Sequence, residues 1–285
     1  MAQLSIVVPA YNEASVIART LRPLADGARD GRLDVIVVAN GCKDDTVAEA
    51  RRACPSAKVI ETAEASKSGA LNLGAAQAQA AAVVFLDADL GITEAALWAL
   101  VAPILTGTAD TATCRMDVDT AQSTLLVRAF YRGWQFNPYF DMGKFGGLYA
   151  LSQATKSQVF PIDPVVADDE LVSRRCAGLR RAHVKAACFT VTAPRGMRDL
   201  LNIRRRSRRG TAALDTAGVP ENKTASLVRF ARVCRRVASQ PSHWPDVAVY
   251  GVVIVWTRLA LRLRPAGIQP EWERDLSSRP HSCAR

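Results

Sequence analysis

The feature that most constrains this chain is the regular recurrence of short β-branched runs between helical stretches. Leu4–Pro9 (LSIVVP), Asp34–Ala39 (DVIVVA), Lys58–Glu61 and Ala82–Leu86 have strand length, and the first, second and fourth are apolar enough to be buried on both faces. Between them lie an amphipathic stretch ending near Leu24, a helical segment through Ala53 and the Ala-rich Ser68–Ala82. Strands alternating with helices at this spacing predict an α/β fold: a Rossmann-like, mostly parallel sheet sandwiched by helices. Such sheets bind ligands beyond the carboxyl ends of their strands, so the residues just after each strand are the candidates for function.

At 285 residues, 49% hydrophobic and 22% charged, the chain has the composition of a folded protein with room for one large domain and an appended piece. Its formal charge of +10 is unevenly spread. Residues 1–160 carry 14 Lys and Arg against 16 Asp and Glu, whereas residues 161–285 carry 23 against 11. The second half is thus a basic surface suited to an anionic partner. Seven cysteines, none in a CxxC pair, and three distant histidines (His183, His243, His281) argue against zinc or a disulfide framework. The sequence enters its first strand at Leu4 without a basic, apolar leader, so a reducing cytoplasmic location is expected.

Further along, Thr93–Leu105 reads as a helix, Thr111–Asp117 as a strand and Lys144–Ser152 as a Gly-hinged strand, while the aromatic-rich 118–145 resists assignment. Asp168–Arg181 starts as a helix. From Met197 the composition shifts to Arg-rich helical pieces. The expected division is a catalytic and binding domain at 1–195, a basic helical extension at 196–265 and a tail at 266–285.

Four post-strand segments carry candidate chemistry. Pro9-Ala10-Tyr11-Asn12-Glu13 offers an aromatic face and polar side chains, as a nucleobase requires. Asn40 follows the second strand with an amide able to read a base edge, while Asp44 or Asp45 suits a helix N-cap. Asp87-Ala88-Asp89 places two carboxylates at i and i+2 beyond a buried strand, a costly pairing unless a hard cation such as Mg2+ or Mn2+ bridges them to phosphate oxygens. Asp168-Asp169-Glu170 precedes a helix; it either complements the helix dipole or supplies a general base.

Taken in order, VPAYNE, VANGCKDDT, KSGALNLG, DAD, GGLYALS and ADDEL resemble the family 2 glycosyltransferases of the GT-A fold, over about residues 4–180. The resemblance implies an inverting enzyme that moves a single sugar from a nucleotide-diphosphate sugar to an acceptor hydroxyl on a lipid or glycan. It implies nucleoside contacts from Pro9, Tyr11, Glu13 and Asn40, and phosphate contact from Lys67. The Asp87-Ala88-Asp89 motif would hold the donor, with Asp87 and Asp89 on Mg2+ or Mn2+, and Gly147 would allow close backbone approach to the sugar. Asp168 would be the base, with Asp169 its rival, because Ala167 stands where the family has an acid. Ala39-Asn40 replaces a usual pair of aspartates, and the family's prevalence favours a UDP-sugar. Arg204–Arg209 stands roughly where processive members carry Gln-x-x-Arg-Trp, which points to single transfers. Rival functions are a non-catalytic nucleotide-sugar-binding protein and a sugar-1-phosphate nucleotidyltransferase; the latter needs a Gly-rich basic loop that VPAYNEAS lacks.

Arg195 to Arg209 forms a basic run without interleaved aromatics, which disfavours nucleic acid. Val247–Thr257 is uncharged but shorter than a membrane span. Residues 247–263 therefore either lie on an anionic membrane surface, on the cytoplasmic face of an inner membrane, or pack against the domain or across a homodimer.

Overall fold

The structure, a computed structural model, describes residues 2–137, 145–219, 233 and 235–263. The chain forms two compact units; described residues 2–117 and 145–191 make up the first, and the other described residues belong to the second.

The strands are β1 (Leu4–Ala10), β2 (Leu33–Asn40), β3 (Lys58–Thr62), β4 (Ala82–Leu86), β5 (Thr111–Asp119), β6 (Leu148–Ser152) and β7 (Arg181–Thr192). Among the described residues they form one sheet in the order β3-β2-β1-β4-β6-β5-β7. β1 runs parallel to β2 and β4, and β2 parallel to β3, whereas β6 is antiparallel to both β4 and β5. The sheet is therefore mixed, with the expected parallel half.

β1, β2 and β4 carry apolar residues in succession because both of their faces are covered, whereas β3 at the sheet edge does not. Ile6, Val8, Val35, Val37, Val84 and Leu86 share a core with Ile17 and Leu21 of α1 (Ile17–Leu21) and with Leu97 and Val101 of α5 (Glu94–Leu105). On the other face α4 (Lys67–Gln77) lies so close to β1 that a Cβ at Gly74 would collide with the Val7 side chain. The buried Lys156 of α7 (Gln153–Val159) donates to the Ala75 and Ala78 carbonyls at 2.9 and 2.8 Å, satisfying the C-terminal end of α4. Burial lowers the pKa of Lys156.

Local chemistry shortens two expected elements. The helix ending near Leu24 breaks into α1, a 3-10 turn at Arg22–Leu24 and α2 (Ala25–Arg29), because Pro23 has no N–H to continue the ladder. The Gly-hinged strand starts only at Leu148, since Gly147 has φ of +75°; Lys144 lies outside the described residues. α3 (Thr46–Ala53) ends where expected. At its start Asp44 accepts from the Thr46 amide at 3.1 Å, whereas Asp45 occupies the cap position without a side-chain bond.

The second unit differs from the expected extension by incorporating 118–137. α6 (Leu125–Trp134) carries an apolar face of Val127 and Phe130, which is buried with Leu200 of α9 (Met197–Thr216) and Val253 of α10 (Trp244–Leu263). Gly133 lets α10 approach, since a Cβ there would meet the backbone of Asp246. Arg132 grips the Asp246 carboxylate through two bonds of 2.8 Å. Of the sequence expectations, His281, the 266–285 tail and residues 138–144 of the aromatic-rich stretch lie outside the described residues.

Candidate active site

Parallel strands ending at Ala10, Asn40 and Leu86 bring three of the four candidate segments to one edge of the first unit's sheet. Asn12 follows β1 with φ of +49°, a left-handed conformation that asparagine tolerates. The resulting turn is locked to the segment after β2. The Asn12 amide donates to the Cys42 Sγ at 3.3 Å, the Lys43 amide to the Asn12 Oδ1 at 2.6 Å, and the Glu13 amide to the Thr46 Oγ1 at 2.6 Å. The Glu13 carbonyl accepts from Val16 and Ile17, starting α1. These bonds leave Tyr11 partly exposed at the tip and Glu13 buried beneath it.

Two of the residues expected to contact the nucleoside are enclosed. Asn40 is 0% exposed, and its amide nitrogen donates to the Ala10 carbonyl at 2.8 Å, tying the ends of β1 and β2 together. Its Oδ1 is buried without a partner. Pro9 is likewise enclosed, in register with Val38. Both shape the turn from within; neither offers surface to a ligand.

The Asp87-Ala88-Asp89 turn is held through its backbone. The Thr20 hydroxyl donates to the Ala88 and Leu90 carbonyls (2.7 and 2.8 Å), and Arg19 donates to the Asp89 carbonyl at 2.6 Å. The Asp87 amide donates to Gly147 O at 2.8 Å. A Cβ at Gly147 would sit 2.9 Å from the Asp87 Oδ2, so glycine is required both by its φ and by the carboxylate against it. Ala88 is buried and supplies backbone alone.

Lys67 joins the donor-side and base-side candidates. It is the first residue of α4, where a cation opposes the helix dipole. Its Nζ lies 2.9 Å from Asp87 Oδ1 and 3.1 Å from Asp168 Oδ2. Burial disfavours the ammonium, but Asp168, Asp87 and Asp169 together outweigh it and raise the lysine pKa, so Lys67 stays charged.

Asp168 opens α8 (Asp168–Arg175), at the helix end that favours negative charge. Burial raises its pKa, with Lys67 opposing and Asp87 adding to the rise. Asp169, more open to solvent, is raised by burial and then by its neighbour Asp168. Glu170 turns away into a buried pair with Arg174 at 2.9 Å, so it serves the helix rather than the cluster. The dipole reading and the site reading thus divide the three acids between them.

The structure therefore brings together Lys67, Asp87, Gly147, Asp168 and Asp169. It adds residues that strand-end reasoning missed. Arg19 and Thr20 act from about seventy positions away in sequence, with no motif to signal them. Tyr149 of β6 stacks between Phe85 and Phe145, at centroid distances of 5.0 and 4.7 Å, and its buried hydroxyl has no hydrogen-bond partner.

Among the described residues no three His, Cys, Asp or Glu side chains form a cluster able to hold a metal. Asp87 and Asp89 are oxygen donors in a partly exposed turn. That donor set suits a hard cation that takes its other ligands from phosphate and water.

The Glycosyl transferase family 2 model matches residues 5–153. Among solved structures, glucosyl-3-phosphoglycerate synthase from Mycobacterium tuberculosis, in complex with Mn2+, UDP-glucose and phosphoglyceric acid, is similar at a TM-score of 0.55 and 22% identity, over 78% of this chain and 82% of that one. The same synthase with Mg2+ and UDP gives 0.53 at 22% identity, over 78% and 81%. S. aureus TarS gives 0.50 at 19% identity, over 72% of this chain and 38% of that one. At such identities the likeness is one of fold. A search of curated proteins found no match. The family match covers more than half of the chain: this is a GT-A-fold enzyme of glycosyl transferase family 2.

Proposed function

We propose that the enzyme transfers a single sugar, with inversion, from a nucleotide-diphosphate sugar to a hydroxyl of a lipid or glycan acceptor, using Asp168 as general base. The observation that carries this reading is the Lys67 ammonium lying between Asp87 and Asp168. One carboxylate belongs to the turn that would hold the donor, the other to the helix start that would meet the acceptor.

Tyr11 would stack on the nucleoside, beside a turn kept rigid by Asn12, Cys42 and Thr46. Asp87 and Asp89 would hold Mg2+ or Mn2+ with the donor diphosphate. A bound cation of this kind supplies Lewis-acid stabilisation of charge on the leaving diphosphate. Lys67 adds a fixed positive charge nearby, oriented before the reaction by its two carboxylates.

Asp168 combines two opposed influences. Burial makes it a better proton acceptor than a solvated carboxylate, and Lys67 opposes that rise, favouring the ionised form a base requires. It would take the acceptor hydroxyl's proton as that oxygen attacks the anomeric carbon opposite the departing diphosphate. Burial and the adjacent Asp168 raise the Asp169 pKa to about 7, which favours a protonated Asp169 beside an ionised Asp168. The run Arg204–Arg209 in place of a processive motif supports one transfer per acceptor.

Thermal unfolding with a panel of nucleoside diphosphates and nucleotide sugars, with and without Mn2+, tests the donor class. A ligand at 100 times its Kd stabilises the folded protein by about 2.7 kcal/mol. A Mn2+-dependent shift with one nucleoside, uridine by preference, is expected. No shift with any nucleoside diphosphate would reject the reading.

A further inference from the structure

α10 is long and apolar enough by length and composition to cross a membrane, yet only 17% of its candidate span, Pro241–Leu261, is buried. A soluble core helix of that composition would be mostly enclosed. One stripe of α10 is committed within the second unit: Asp246 pairs with Arg132, Tyr250 Oη accepts from Asn137 at 2.9 Å, and Val253 joins Val127 and Phe130. A second stripe at helical spacing, Val252, Val255, Trp256 and Leu259, is exposed, Val252 by 68% and Trp256 by 44%.

α6 runs antiparallel to α10, with Gly133 against Asp246 and Val127 clustered with Val253. Its start therefore lies towards the end of α10 that carries Trp256 and Leu259, and that start presents Leu125 and Leu126, the former 80% exposed. Large apolar side chains gathered this way mark an interaction surface.

Charge selects the occupant. The described residues of this unit contain 13 arginines and no lysine against 4 aspartates and no glutamate. Arg258 is exposed within the apolar stripe. Arg205 and Arg209, one helical turn apart on α9, belong to this positive charge. A second copy would bring like charge against like, whereas anionic headgroups would supply the countercharge.

We infer that the second unit docks on an anionic lipid surface, with the outer stripe of α10 and the Leu125–Leu126 corner entering the interface. α10 lies along the bilayer and does not span it, because spanning would strip Asp246 and Tyr250 of their partners. Tryptophan suits headgroup depth, and Trp244 and Trp256 are both exposed.

The test is flotation of the full-length protein with phosphatidylcholine vesicles, with and without phosphatidylglycerol, at low and high salt. Wild type should float with the anionic vesicles only, and less at high salt. The double variant Trp256→Ser with Leu259→Ser, both outer-face changes, should bind at least about tenfold more weakly with unchanged circular dichroism. Arg205→Gln with Arg209→Gln should weaken binding while removing no apolar contact. If wild type fails to float, or both double variants float as it does, the inference is wrong. It is equally overturned if wild type forms a dimer that the Trp256→Ser, Leu259→Ser variant loses. Because no sugar transfer is measured, failure here leaves the catalytic reading standing.

Discussion

Replacing Lys67 by methionine keeps the length and apolar stem of the side chain while removing the charge shared by Asp87 and Asp168. Two charge-assisted contacts of 2.9 and 3.1 Å are lost. Such bonds contribute about 1.5–3 kcal/mol each when desolvated. The Lys67 and Asp87 side chains are 24% and 32% exposed, which moves that bond to the low end of the range; Asp168, at 7%, loses more. Against this, methionine escapes the cost of burying an ammonium at the positive end of α4. The net destabilisation should be about 2 kcal/mol at neutral pH. The loss should depend on pH in a definite direction. Asp168 already has a raised pKa, and without Lys67 it rises further, so the variant's deficit grows as pH rises and fades in acid as the carboxylate is protonated. Thermal and urea unfolding at about pH 5 and about pH 8 would measure this. Donor turnover should fall roughly 100- to 1000-fold with its acid limb moved to higher pH. A deficit that is equal at both pH values, or absent, would refute the assignment of Lys67 as the cation holding the two acids.

Other consequences follow from the same geometry. Gly147→Ala forces a left-handed backbone on a residue with a Cβ and presses on Asp87; about 1–2 kcal/mol of stability and more than tenfold of turnover should be lost, read by unfolding and by nucleotide release. Tyr149→Phe removes a buried hydroxyl that has no partner, so urea unfolding should show a protein as stable as wild type, or more stable by up to about 1 kcal/mol. Arg132 holds the Asp246 pKa below the usual carboxylate value. That contact stabilises the fold above the unfolded-state pKa and is lost as pH falls through the lower folded-state value. Asp246→Asn should accordingly cost about 1 kcal/mol at neutral pH, reduced by the half-exposure of Arg132, and flatten the acid limb of the stability profile.

The fold was legible because backbone alternation is a local property. β1 and β4 are buried at every position and β2 at all but Asp34, and runs such as VVFL announce that directly. Asp87 and Asp168 stood out in the sequence because each lies at a strand end or helix start where its charge needs an explanation, whereas Lys67 entered only through the family resemblance. Asn40 and Pro9 show the limit: being next to a strand end does not decide whether a side chain faces a cleft or the sheet, and here the Ala10 carbonyl claimed the amide. Arg19 and Thr20 were invisible because they bond to backbone, which carries no sequence signature. The 118–137 region was unreadable for another reason: α6 is amphipathic, but its partner, α10, lies more than a hundred residues further on.

Asp168→Asn tests the account most directly. The amide occupies the same space beside Lys67, so Mn2+-dependent binding of the donor nucleotide should stay within about threefold of wild type while sugar transfer falls by at least about a hundredfold. Turnover at the wild-type rate, or its loss in Asp169→Asn alone, would contradict it.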